Sequence, residues 1–165
     1  MKPALLVIDV QKAFFDSDQR TAQSLERAID AINYAIALFR RKQLPVIAIQ
    51  HMDSEERLLP GTEGFALPDR LAVLGSDLHI TKTYGNAFNK TPLADELCAL
   101  GVDTVILTGY CAEYCVLSTY RGAQDLDLTP IILRDTLASG SAENIAFVEN
   151  INDSISFGAL SKVLE

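Results

Sequence analysis

The sequence predicts a three-layer α/β fold with a doubly wound, six-stranded, mainly parallel, Rossmann-like sheet. Two observations predict it. Apolar runs such as ALLVI (Ala4–Ile8) and TVILT (Thr104–Thr108) lack a polar face, as strands covered on both sides do. Helical spacing fills the gaps between such runs, which recur about every 25–40 residues, the rhythm of parallel strands joined by crossovers. At 165 residues, 48% apolar and 22% charged, the chain is expected to be one domain, residues 1–165, with its own core.

Each element has its own warrant. Ala4–Ile8 is the first strand. Thr21–Lys42 places Leu25, Ala28, Ile29, Ile32, Ile36 and Phe39 on one helical stripe, with Thr21 or Ser24 as the cap and Arg40–Lys42 at the negative end. Pro45–Gln50 is the second strand, with proline at its first position. His51–Asp77, rich in Pro and Gly, is expected to be a long loop with one short helix at most, of the kind that often binds ligands. Leu78–Thr81 is a weaker third strand. Thr91-Pro92 marks a helix start and Gly101 its stop, giving a helix over Pro92–Leu100 in which Cys98 reads as packing. Thr104–Thr108 is the fourth strand, followed by a helix with Val116, Tyr120 and Ala123 on one face. Pro130–Leu133 is the fifth, Ala142–Asn150 is helical, and Ser154–Phe157 is a short sixth strand.

Charge and composition exclude several functions. A net charge of −8 argues against nucleic acid and against an anionic membrane surface. No stretch is long enough for a membrane span, and Met1–Val10 is too short for a signal peptide. Three cysteines without framework spacing suit a reducing compartment, so a cytoplasmic location is expected.

In a doubly wound sheet, ligands bind beyond the carboxyl ends of the strands, where strand order reverses. Asp9, His51, Asp53, Lys82, Tyr110–Cys115 and Arg134–Asp135 all follow strands. In the order 3-2-1-4-5-6, Asp9 and Cys115 face each other across the reversal. A Cys at a strand-to-helix turn is near unpaired N–H groups and a positive helix end, and a Lys cation adds to both; together they favour thiolate, while the Asp opposes it. That combination predicts a Cys115 pKa lowered from about 8.5 toward the range of activated thiols. Asp, Lys and Cys can together run nucleophilic attack on a carbonyl, with turn N–H groups holding the oxyanion. Each also has a plain alternative: Asp9 as a turn cap, Lys82 as a solvated cation, Cys115 as core.

Asp9 in LLVIDVQKAF, Lys82 in ITKTYGNAF and Cys115 in GYCAEYCVLST resemble, in order and spacing over residues 4–138, the isochorismatase-like cysteine hydrolases, which include nicotinamidases. The resemblance implies a catalytic triad of Asp9, Lys82 and Cys115, a cis peptide before Cys111, and an oxyanion hole from the N–H groups of Cys111 and Cys115. It also implies a small-molecule substrate, no dissociable cofactor and a homo-oligomer, dimer or larger. Two departures stand out. Ala112 replaces a common hydroxyl residue, and the metal motif of nicotinamidases is absent: His51-Met52-Asp53 has the reverse order, and His79 is the remaining His. No metal is therefore expected, since a transition-metal site wants three or four such ligands. The cysteines at 111 and 115 have no second pair to complete a zinc site. Phe15, Tyr84 and Tyr110 are the candidate substrate-binding aromatics, with Phe14 and Phe88 behind them, and Arg57 and Arg134 are candidate contacts to an anion. The expected activity is cleavage of a small amide or related C–N bond through a Cys115 thioester. The alternatives are a vinyl-ether hydrolase of the isochorismatase type and a non-catalytic binding or assembly module.

Overall fold

The computed structural model describes residues 1–55 and 58–165; Arg57 lies outside the described residues. Six parallel strands form one sheet in the order β3-β2-β1-β4-β5-β6. They are β1 (Pro3–Ile8), β2 (Val46–His51), β3 (Leu78–Lys82), β4 (Thr104–Gly109), β5 (Thr129–Leu137) and β6 (Ser154–Ile155). The order reverses between β1 and β4, as the sequence predicts.

Alternate residues of the central strands feed two cores, the physical reason these segments read as unbroken apolar runs. Leu6, Ile8, Ile49 and Leu107 pack under α3 (Leu93–Ala99), α4 (Leu117–Asp125) and α5 (Ala142–Ile151). Leu5, Val7, Val46 and Ile106 pack under α2 (Gln19–Arg41) and α6 (Phe157–Val163), where Leu25, Ile29, Ile32 and Phe39 of α2 are buried.

Several boundaries differ from expectation. The cap of α2 is Asp18, whose Oδ1 accepts from the N–H groups of Arg20 at 2.8 Å and Thr21 at 3.0 Å; Thr21 and Ser24 are buried inside the helix instead. A single helical turn, α1 (Lys12–Phe15), is too short to show a period. Residues 52–77 contain no helix among the described residues, only turns and one bridge between Asp53 and Leu58. The sixth strand stops at Ile155 because Ser156 caps α6 through a bond from Ala159 N–H at 3.3 Å. Residues Arg134–Asp135 lie inside β5 and not beyond it, and Arg134 donates to Ser154 Oγ at 2.9 Å. Cys98 is exposed; Leu97 is the buried residue of that pair. Among the described residues no helix is long and apolar enough to cross a membrane.

Candidate active site

Four neighbouring strands deliver the predicted groups to one edge of the sheet. Asp9 follows β1 with φ +52, a left-handed conformation that Asp tolerates better than most residues, and its N–H bonds Ile49 O at 2.8 Å. Lys82 ends β3 and sits opposite His51, the last residue of β2, in the parallel register. Beyond β4 the chain turns at Gly109, where φ is +109 and a Cβ would lie 2.0 Å from Ile8 O, so only glycine fits. The Tyr110–Cys111 peptide is cis. Cys115 then sits in a π-helical turn, Ala112–Val116, that runs into α4. Ala112 is buried, and its N–H bonds Ala138 O at 2.9 Å.

Lys82 ties the group together. Its Nζ donates to Asp9 Oδ2 at 2.8 Å and to Cys115 Sγ at 3.4 Å, and lies 3.2 Å from His51 Nδ1. Asp9 and Lys82 are each 1% exposed, whereas Cys115 is half-buried, so the sulfur-bearing residue is the member a solute can reach. Asp9 Oδ1 has no hydrogen-bond partner among the described residues.

The electrostatics correct one expectation. Burial first, and then the Asp9 carboxylate, push the Cys115 thiol up to about 12 against the opposing Lys82 cation. Cys115 therefore rests as a neutral thiol, because desolvation of the charged form together with the Asp9 carboxylate outweighs the cation. Burial also pushes the Asp9 carboxyl up, with Lys82 working against the rise.

The substrate-binding candidates are dispersed. Tyr110, its ring 4.9 Å from that of Phe14, lines a cavity of about 340 Å³ with Ala13, Ser17 and Leu58. Phe15 lines a different cavity, of about 380 Å³, with Lys12 and Glu63. Tyr84 is 41% exposed and accepts from Lys90 Nζ at 2.9 Å. Phe88 packs against the core.

The metal candidates also turn to separate partners. His51 faces Lys82, Asp53 accepts from Glu55 N–H at 2.8 Å, and His79 Nε2 lies 3.0 Å from Leu74 O. Among the described residues no three His, Cys, Asp or Glu side chains gather into a metal-binding group, so the residues present do not fit the metal that the nicotinamidase resemblance suggests.

Residues 3–152 match the model of the isochorismatase domain family. The chain belongs to the isochorismatase family of hydrolases. It is 32% identical over 140 residues to the uncharacterized isochorismatase family protein YrdC of Bacillus subtilis, spanning 84% of this chain and 74% of that protein. An isochorismatase-like hydrolase from Alkaliphilus metalliredigens shares the fold with TM-score 0.91 and 24% identity, covering 100% of both chains. N-carbamoylsarcosine amidase from Thermoplasma acidophilum superposes with TM-score 0.80 and 26% identity, covering 94% of this chain and 95% of that one.

Two features of this isochorismatase-family chain escape a reading of its sequence. The first is His51 as a neighbour of Lys82, which depends on the β2–β3 register. The second is Glu113. Its carboxylate accepts from Cys111 Sγ at 3.0 Å, Ser139 Oγ at 3.0 Å and Asn144 Nδ2 at 2.6 Å, tying the turn to α5 and the loop before it. Burial pushes the Glu113 carboxyl up, but these bonds outweigh it and hold it below its ordinary value. Burial, with Glu113 beside it, pushes the Cys111 thiol up to about 12, which suits a packed group. The sequence signal for Glu113 was its place between the two cysteines of the turn.

Proposed function

We propose that this chain is a cysteine hydrolase that cleaves a small amide, or a related C–N bond, through a thioester on Cys115. The observation that carries the reading is a single cation, Lys82, 2.8 Å from a buried carboxylate and 3.4 Å from a half-buried thiol. The amidase from Thermoplasma acidophilum supports the choice of a C–N bond.

Because the resting thiol is pushed up to about 12, its proton must leave as the sulfur attacks. Asp9 takes that proton while the Sγ–carbon bond forms and the carbonyl electron pair moves onto oxygen. The N–H groups of Cys111 and Cys115 hold the resulting oxyanion. As the intermediate collapses, the C–N bond breaks and Asp9 returns the proton to the leaving nitrogen. Water then gives a proton to Asp9 and attacks the thioester, and collapse restores the thiol and releases the acid. Lys82 offsets the charge that moves between Asp9 and the sulfur. Of the three aromatic candidates, Tyr110 is kept as a pocket wall because it is joined directly to the oxyanion turn, whereas Phe15 lines a separate cavity and Tyr84 is exposed.

The test is a panel of small amides and N-carbamoyl compounds, followed by ammonia release and by intact mass. Wild type should release ammonia and show an acyl adduct on Cys115; Cys115→Ala should do neither. Turnover by Cys115→Ala would overturn the thioester. The homo-oligomer implied by the family resemblance is read on the same sample by light scattering.

A further inference from the structure

An ammonium group has three N–H bonds and no lone pair. Lys82 has three neighbours that can accept them: Asp9 Oδ2 at 2.8 Å, His51 Nδ1 at 3.2 Å and Cys115 Sγ at 3.4 Å. No N–H of Lys82 is left for a substrate. Since Lys82 can only donate, Nδ1 of His51 must present its lone pair, which places the ring proton on Nε2. The His51 backbone is clamped as well. Its N–H donates to Gln11 Oε1 at 2.7 Å, and its carbonyl accepts from Gln11 Nε2 at 3.0 Å. Gln11 is fully buried, so the clamp is part of the core that carries Asp9 two residues earlier. The His51 residue is half-buried at the carboxyl end of β2, and its Nε2–H has no acceptor among the described residues.

We propose that His51 is a positioning and specificity residue: Nδ1 orients the Lys82 ammonium, and Nε2–H binds a second hydrogen-bond acceptor on the substrate. The substrate class is thereby narrowed to small amides carrying an acceptor group beyond the scissile carbonyl. The proposal rests on reading Asp9, Lys82 and Cys115 as the reacting set, and its test separates the two. Nuclear magnetic resonance of protein labelled with ¹⁵N-histidine reads the tautomer without any substrate. The chain has two histidines, and His79→Gln assigns them. The Nε2–H tautomer is expected for His51; the Nδ1–H tautomer overturns the proposal.

Iodoacetamide reads the positioning half: a sulfur–carbon bond forms at Cys115, iodide leaves, and the thiol proton passes to Asp9. His51→Asn keeps an acceptor near the Nδ1 position and should alkylate within about threefold of wild type, whereas His51→Leu should be slower by about tenfold, the scale of one hydrogen bond. Equal rates for the two variants overturn that half. With an amide found by ammonia release, His51→Asn should raise KM about tenfold and leave kcat within about threefold. An unchanged KM overturns the specificity half. If no amide is turned over, the hydrolase reading falls and the specificity half with it, while the tautomer and the alkylation rates still decide the Lys82 half.

Discussion

Replacing Lys82 by Met removes the cation from a carboxylate that is 1% exposed and strips Asp9 Oδ2 of its 2.8 Å bond. Asp9 Oδ1 already has no partner among the described residues, so the variant would hold a buried carboxylate without its main counter-charge. Breaking a buried pair in this way costs about 3–5 kcal/mol. In a chain of 165 residues each kcal/mol moves Tm by about 2–4 °C, so the expected fall at pH 7 is about 6–20 °C. The pH dependence has a definite sign. Burial already raises the Asp9 pKa in the folded protein above its ordinary value of 3.8, and losing Lys82, its largest lowering influence, raises it further. Between the unfolded and folded values the native state binds more protons than the unfolded state, so stability falls as pH rises. The deficit of Lys82→Met should therefore be larger at pH 7 than at pH 5, because Asp9 takes up a proton as pH falls. Calorimetry at the two pH values, on wild type and variant, reads both effects. Adding Asp9→Asn should return most of the lost stability, because the double variant buries no charge. A single variant as stable as wild type, a deficit independent of pH, or a double variant no better than the single would refute the reasoning.

Asp9→Asn alone should lower turnover by about 10²–10⁴-fold through loss of the proton carrier. It should also bring the Cys115 thiol down from about 12, since Asp9 is its second cause of elevation after burial while Lys82 remains. Alkylation of Cys115 followed against pH reads that midpoint, and an unmoved midpoint would uncouple the two groups. Gly109→Ala places a Cβ 2.0 Å from Ile8 O at φ +109 and should cost about 3 kcal/mol or more, measured by urea unfolding; a cost below about 1 kcal/mol would show that the turn yields easily. Treatment with EDTA should leave ammonia release unchanged. Activity lost on chelation and regained with zinc would show that His51, Asp53 or His79 binds metal after all.

Much of this architecture was written locally. Ala4–Ile8 and Thr104–Thr108 show no polar face because two helical layers cover them, and that burial is visible in composition alone. The strand order followed from the general rule for doubly wound sheets, and it places Asp9, Lys82 and Cys115 on one edge. The layers, the reversal and the three groups that meet at the strand ends were thus legible in the sequence. The ionisation of Cys115 could not be read there, because it depends on how much water reaches the thiol and on a carboxylate brought from β1. The pairing of His51 with Lys82 depends on the parallel register of β2 and β3, which the side-chain pattern of β2, buried on both faces, leaves unmarked. The exposure of Cys98 against the burial of Leu97 turns on the rotation of α3, a helix of seven residues whose stripe is too short to fix a face. Local chemistry names which groups are present; distance, desolvation and register, set by the packed whole, decide the charge each one carries.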